Sequence, residues 1–166
     1  LQALGEDVTF PEDGYGGAYL VDLAADIVAQ EGDGYRAMGE QDGRPALTRL
    51  GMSRMMDTIR ADLGDLGVHF DTWFSEASLY QDGAYETVLA RLEDAGHLVE
   101  KEGARWFQST ALGEDKDNVL VRSTGMPTYF ASDIAYHYDK FERRGFPKGI
   151  NVWGADHQGH VSRVKA

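Results

Sequence analysis

The sequence has no cysteine among its 166 residues. That excludes a disulfide scaffold and any zinc finger built on thiolates. No apolar run approaches the ~20 residues needed to span a bilayer, and no basic-then-apolar segment opens the chain as a secretion signal would. No Lys or Arg precedes Arg36. With 16 basic against 28 acidic residues the formal net charge is −12. Such a chain gains little from non-specific attraction to phosphate backbones. Composition therefore predicts a soluble, cytoplasmic protein with no membrane partner, and argues against a nucleic-acid-binding module. An initiator Met is also lacking, and the closing "HVSRVKA" has apolar residues at helical spacing with no terminating Gly or Pro. These ends predict a piece of a larger protein; a complete small protein with processed ends is the alternative.

What is present is ordered punctuation. Residues 1–17 include "FPEDGYGG" and read as a loop. Leu20, Leu23, Ala24 and Ile27 recur at three and four, which predicts a helix to about Gln30. Met52, Met55, Met56, Ile59, Leu63 and Leu66 form a longer helical stripe, read as core rather than as a plastic binding surface. "VHFDTWFSE" alternates as a strand would. Tyr85, Val88, Leu89 and Leu92 mark a third helix ending near Gly96. "HLVEKEGARWFQST" reads as a hairpin turning at Glu102-Gly103, and 119–122 as another strand. A helix follows from about Thr128, with Pro127 at its start and Phe130, Ile134, Tyr138 and Phe141 as its buried stripe. "INVWG" reads as an apolar strand leading into a helix near His157. Helix, buried strand, helix is the grammar of a parallel α/β sheet. The fold class expected is α/β, a partial Rossmann-type parallel sheet with an inserted α+β subdomain. The boundary falls in the loop at 113–118, separating residues 1–117 from residues 118–166.

Two clusters could carry chemistry. The first is "GADHQGH", residues 154–160, at the end of the expected strand. Ligands in open parallel sheets bind beyond the carboxyl ends of the strands. Gly154 permits close approach of a ligand to the backbone. Asp156 can accept two ribose hydroxyls, or can simply cap the next helix. His157 sits in that helix's first turn, where N–H groups are unpaired. Asp156, His157 and His160 are also competent metal ligands, although no HExxH pattern accompanies them. The second cluster is Tyr129, Asp133 and His137, spaced at four and therefore on one helical face. A carboxylate beside an aromatic ring suits a planar guanidinium; an ordinary solvated face is the plainer reading.

These stretches also carry a resemblance. Residues 119–166, "VLVRSTGMPTYFASDIAYHYDKFERRGFPKGINVWGADHQGHVSRVKA", resemble the catalytic core of bacterial-type arginyl-tRNA synthetases, which are of class I. So do residues 10–24, 70–80 and 102–110, in the same order along the chain. The resemblance implies a Rossmann-type domain that joins arginine to the α-phosphate of ATP and passes the arginyl group to the terminal ribose of tRNA(Arg), with Mg2+ accompanying the ATP. It implies that Tyr129 and Asp133 hold the substrate guanidinium, that His157 lies on the amino-acid side, and that Gly154 and Asp156 lie at the ATP ribose. Gln158 and His160 depart from the family's usual GADHHGY, and "STGMPTY" from SDGTPTY. No HIGH-type or KMSKS-type sequence occurs, so the resemblance places the catalytic motifs outside this chain. The chain is then expected to be inactive alone, and to self-associate through an uncovered sheet edge, which sedimentation would read. A stand-alone arginine- or nucleotide-binding relative, and a metal-dependent enzyme using Asp156, His157 and His160, are the competing readings.

Overall fold

The computed structural model describes residues 1–12, 14 and 16–166; Asp13 and Tyr15 of the "FPEDGYGG" loop lie outside them. Backbone contacts divide the chain into two compact units, Leu1–Asp71 and Thr72–Ala166.

In the first unit a single 3-10 turn, Gln2–Leu4, precedes helix α1 (Ala18–Glu31). The three-and-four spacing that marked α1 turns Ile27 into its buried residue, and Gly32 ends it at a positive φ of 65°. Helix α2 (Gly34–Ala37) then turns the chain onto the 27-residue helix α3 (Gly39–Asp65). Gly43 is the one buried residue of α3: a Cβ there would run into the Tyr35 carbonyl, so α2 packs at glycine distance. The methionine stripe differs from expectation. Met52 is 64% exposed and Leu66 77%. Helical periodicity marks an apolar face but does not supply a cover, and within this unit α1 and α2 are too short to cover all of α3.

The second unit holds the larger core. It runs through α4 (Ser78–Gln81), α5 (Ala84–Asp94), strands β1 (Leu98–Lys101), β2 (Ala104–Phe107) and β3 (Asn118–Val121), then α6 (Tyr129–Tyr138) and α7 (Gln158–Lys165). The strands form one antiparallel sheet in the order β1-β2-β3. Leu98 faces Phe107 and Lys101 faces Ala104, with the turn at Glu102 and Gly103, both at positive φ (56° and 71°). Two successive positive φ values suit a tight hairpin whose twist matches its strands. Leu79, Val88, Leu89, Phe107, Leu120 and Phe130 meet beneath the sheet, each under a tenth exposed.

Helix α6 is positioned from both ends. Thr128 caps it, its Oγ1 accepting from the Ala131 N–H at 3.4 Å and donating to the Val119 carbonyl at 2.9 Å. Pro127 therefore lies one residue before the cap, bridged to Val121. At the other end the helix widens into a π-helical turn, Asp139–Arg143. The buried Asp139 carboxylate lies 2.9 Å from Arg144 Nε, an ion contact without hydrogen-bond alignment, and Arg143 reaches Asp82 at 2.9 Å. The face α6 buries is Phe130, Ala131, Ser132 and Ala135, whereas Phe141 is 41% exposed.

Two expected strands are absent. Residues 68–72 and 150–153 belong to no strand, and among the described residues there is no parallel strand. A strand exists only through its neighbours' hydrogen bonds. With none beside it, the apolar run lies open: Ile150 is 77% exposed and Val152 93%. The α/β class holds, carried by a small antiparallel sheet and many helices, and the parallel Rossmann sheet is not seen.

The loop before β3 has its own polar lock. Thr110 donates from both its backbone N–H (3.1 Å) and its hydroxyl (2.7 Å) to the Asp117 carboxylate. These donors, the hydroxyl first, hold the Asp117 carboxyl below the usual carboxylate range. A depressed folded value means that this stabilisation is present above the unfolded value and is lost as pH falls through the folded one. Resistance of the protein to urea should therefore fall below about pH 4, and Asp117→Asn should flatten that part of the profile; an unchanged profile would remove Asp117 from the lock.

Candidate functional site

Helix α6, residues 150–157 and α7 converge within the second unit. Tyr129, Asp133 and His137 stand on one face of α6, as their spacing requires. Tyr129 is 62% exposed at the first position of the helix. Asp133 is set deeper, with its side chain 35% exposed, and it has a partner from α7: His160 Nε2 lies 2.6 Å from Asp133 Oδ2. An ionised carboxylate only accepts, so His160 carries its proton on Nε2 and donates it. His160 itself is 5% exposed. Its ring sits among three others, with centroids 5.4 Å from Tyr129, 5.6 Å from Phe130 and 5.4 Å from Trp153. Its Nδ1 is buried without a hydrogen-bond partner.

His137 does different work. Lys140 Nζ donates to Asn151 Oδ1 at 3.0 Å, which turns the Asn151 amide nitrogen toward His137 Nε2 at 2.9 Å. The imidazole then accepts at Nε2 and donates from Nδ1 to the Asp133 carbonyl at 2.7 Å. This chain of bonds pins the unpaired 150–153 segment to α6. Burial, and then the nearby Arg144 charge, pushes the Lys140 ammonium below its usual range, with Asp133 acting in the opposite sense. Lys140 also stands 4.2 Å from the centre of the Tyr136 ring, so Asn151 and an aromatic face replace part of its lost water.

The "GADH" residues lie beside this face and stand more open. Gly154 enters the 3-10 turn Ala155–His157 in an extended conformation, and a Cβ at Gly154 would collide with the Asp156 carboxylate. Asp156 is 80% exposed in its side chain and does not cap α7; it accepts from, or pairs with, its neighbour His157 Nδ1 at 3.2 Å. The His157 ring lies 6.2 Å from Trp153. Asp156 and His157 thus pair with each other while His160 turns inward to Asp133. The three do not converge, and among the described residues no group of three or more acidic or imidazole side chains is arranged to hold a metal ion. The metal-dependent reading loses its geometry.

The structure thus brings Tyr129 and Asp133 together with His160, and leaves Gly154, Asp156 and His157 as an adjacent exposed rim. Two contributors escaped the sequence reading. His160 stood out as a metal ligand and as a departure from the GADHHGY pattern, and nothing in spacing pairs it with a residue 27 positions away. Asn151 had a visible signal, a lone amide inside an apolar run.

No protein-family model matches the chain. It is 55% identical over 165 residues to the arginine–tRNA ligase of Dehalococcoides mccartyi and 53% identical over 165 residues to that of Heliobacterium modesticaldum, in both cases across 99% of this chain. The chain spans 30% and 29% of the length of those relatives. Among solved structures, an arginyl-tRNA synthetase from Campylobacter jejuni matches with a TM-score of 0.85 at 36% identity, over 99% of this chain and 35% of that one. One from Plasmodium falciparum matches with a TM-score of 0.62 at 17% identity, over 89% and 25% of the two chains, a likeness of fold alone.

Proposed function

We propose that this chain, 99% of which corresponds to a segment of arginine–tRNA ligases, carries the arginine-recognition face and the ribose side of the ATP site of such a ligase. One observation carries the reading. A half-buried carboxylate, Asp133, is held open to solvent beside the exposed Tyr129 ring, which is the arrangement a guanidinium requires. The carboxylate still has Oδ1 and a second lone pair on Oδ2 to accept from the substrate. His157 is assigned to the amino-acid side of the site, and Gly154 with Asp156 to the ribose of ATP. The exposed Asp156 carboxylate can accept from two hydroxyls, and the bare Gly154 leaves room for that carboxylate.

The reaction proposed for the complete ligase begins with the arginine carboxylate oxygen bonding to the α-phosphorus of ATP as pyrophosphate leaves. A ribose hydroxyl at the end of tRNA(Arg) then attacks the activated carbonyl and AMP departs. Within this scheme residues 118–166 select and orient arginine, and residues 1–117 form the central, inserted part of the catalytic region. HIGH- and KMSKS-type sequences would stabilise the charge that develops on the phosphates, and such electrostatic stabilisation usually contributes most to the rate of a transfer of this kind; neither sequence occurs here. Mg2+ would arrive with the nucleotide, and no step is assigned to a metal held by the described residues. The unpaired run 150–153 is proposed as a strand of the parallel sheet of the complete enzyme. Its apolar side chains and its tether to α6 through Asn151 favour this.

The test is arginine-dependent exchange of radiolabelled pyrophosphate into ATP by the full-length ligase containing this segment. Exchange driven by arginine and not by lysine is expected. Exchange that lysine supports equally would overturn the assignment of the Tyr129/Asp133 face.

A further inference from the structure

We propose that His160 is a positioning residue for arginine recognition: its Nε2–H holds Oδ2 of Asp133 and thereby presents Oδ1 to the guanidinium. The proposal rests on the arginine reading above and adds to it a residue from a different element. A free aspartate on a helix rotates among several rotamers, and each rotamer aims its oxygens differently. Here the carboxylate is tied at 2.6 Å to a donor on a buried ring. The rings of Tyr129, Phe130 and Trp153 lie 5.4, 5.6 and 5.4 Å from the imidazole, and only 5% of the residue is exposed. Its second nitrogen has no partner, although it is buried. A buried polar atom left unpaired carries a cost, so packing alone would favour a hydrocarbon ring in this place. Among the described residues, the polar contact that offsets the cost is the bond to Asp133.

The experiment is pyrophosphate exchange by the full-length ligase with two variants. His160→Phe keeps an aromatic ring and removes the donor; His160→Gln places an amide N–H near the position of Nε2. His160→Phe should raise KM for arginine about tenfold, the scale of one charge-assisted hydrogen bond. Its kcat and its KM for ATP should stay within about twofold, because the contact orients the ground state. His160→Gln should recover most of the loss. An unchanged arginine KM in His160→Phe overturns the proposal, as does a Gln variant as impaired as Phe, which would make ring shape the cause. Asp133→Asn separates the two levels of inference. If it leaves arginine KM unchanged, the underlying site assignment fails; if it raises KM while His160→Phe does not, only the positioning role fails. Should His160→Phe not fold, as a lost thermal transition would show, the imidazole 15N spectrum of the unaltered protein decides. The proton must reside on Nε2 of His160, and a proton on Nδ1 overturns the proposal.

Discussion

On the proposed assignment of the α6 face, Asp133→Asn in a full-length ligase carrying this segment is expected to raise KM for arginine by about tenfold to a hundredfold. The substitution keeps the shape and removes the charge. A hydrogen bond to a charged group contributes about 1.5–3 kcal/mol, and each 1.4 kcal/mol is a factor of about ten. The amide brings a further cost, since one of its two positions is now a donor and repels a guanidinium that can only donate. The His160 N–H remains satisfied by the amide oxygen, so folding should be little affected. The change should therefore appear in KM with kcat nearly retained, the signature of lost substrate binding rather than of lost transition-state stabilisation. Steady-state exchange kinetics across a range of arginine concentrations read both quantities, and an unchanged KM would remove Asp133 from the guanidinium site.

Leu120→Ala should cost the protein about 2–5 kcal/mol of folding stability. Leu120 is completely buried, sits on β3, and shares a core with Leu79, Phe107 and Phe130. Its backbone is engaged as well, the Leu120 carbonyl accepting from the Thr128 N–H at 2.8 Å just where α6 begins. The backbone cannot collapse around the cavity without dragging that cap. Whole domains are stable by only about 5–15 kcal/mol, so this one side chain is a large share. Urea unfolding followed by circular dichroism reads the change. A midpoint indistinguishable from wild type would mean that the core is looser than its packing suggests. Phe130 also packs beside His160, so on the proposed assignment of the α6 face the variant should also weaken arginine binding.

Much of the local structure was legible because its causes are local. The three-and-four spacing that marks α1, α5 and α6 depends only on helical geometry, and the positive φ at Gly103 follows from a two-residue turn. Tyr129 and Asp133 could be placed on one face by the same arithmetic. What escaped depends on distant partners. The run at 150–153 has strand composition, but pairing needs neighbouring strands, and among the described residues none pairs with it. The methionine stripe of α3 has helical period, but period says nothing about what covers it. His160 and Asp133 lie 27 positions apart, and only the convergence of α6 and α7 makes them neighbours. Histidine chemistry in "GADHQGH" was visible; which histidine turned inward was not.

The measurement closest to the central claim is a pair of calorimetric titrations, arginine and citrulline, into the full-length ligase and its Asp133→Asn variant. Citrulline keeps the length and planarity of the side chain and lacks the charge. The wild type should prefer arginine strongly, and the variant should lose most of that preference because its partner carboxylate is gone. A variant that retains the full preference for arginine would show that some other group reads the guanidinium, and the assignment of the α6 face would be wrong.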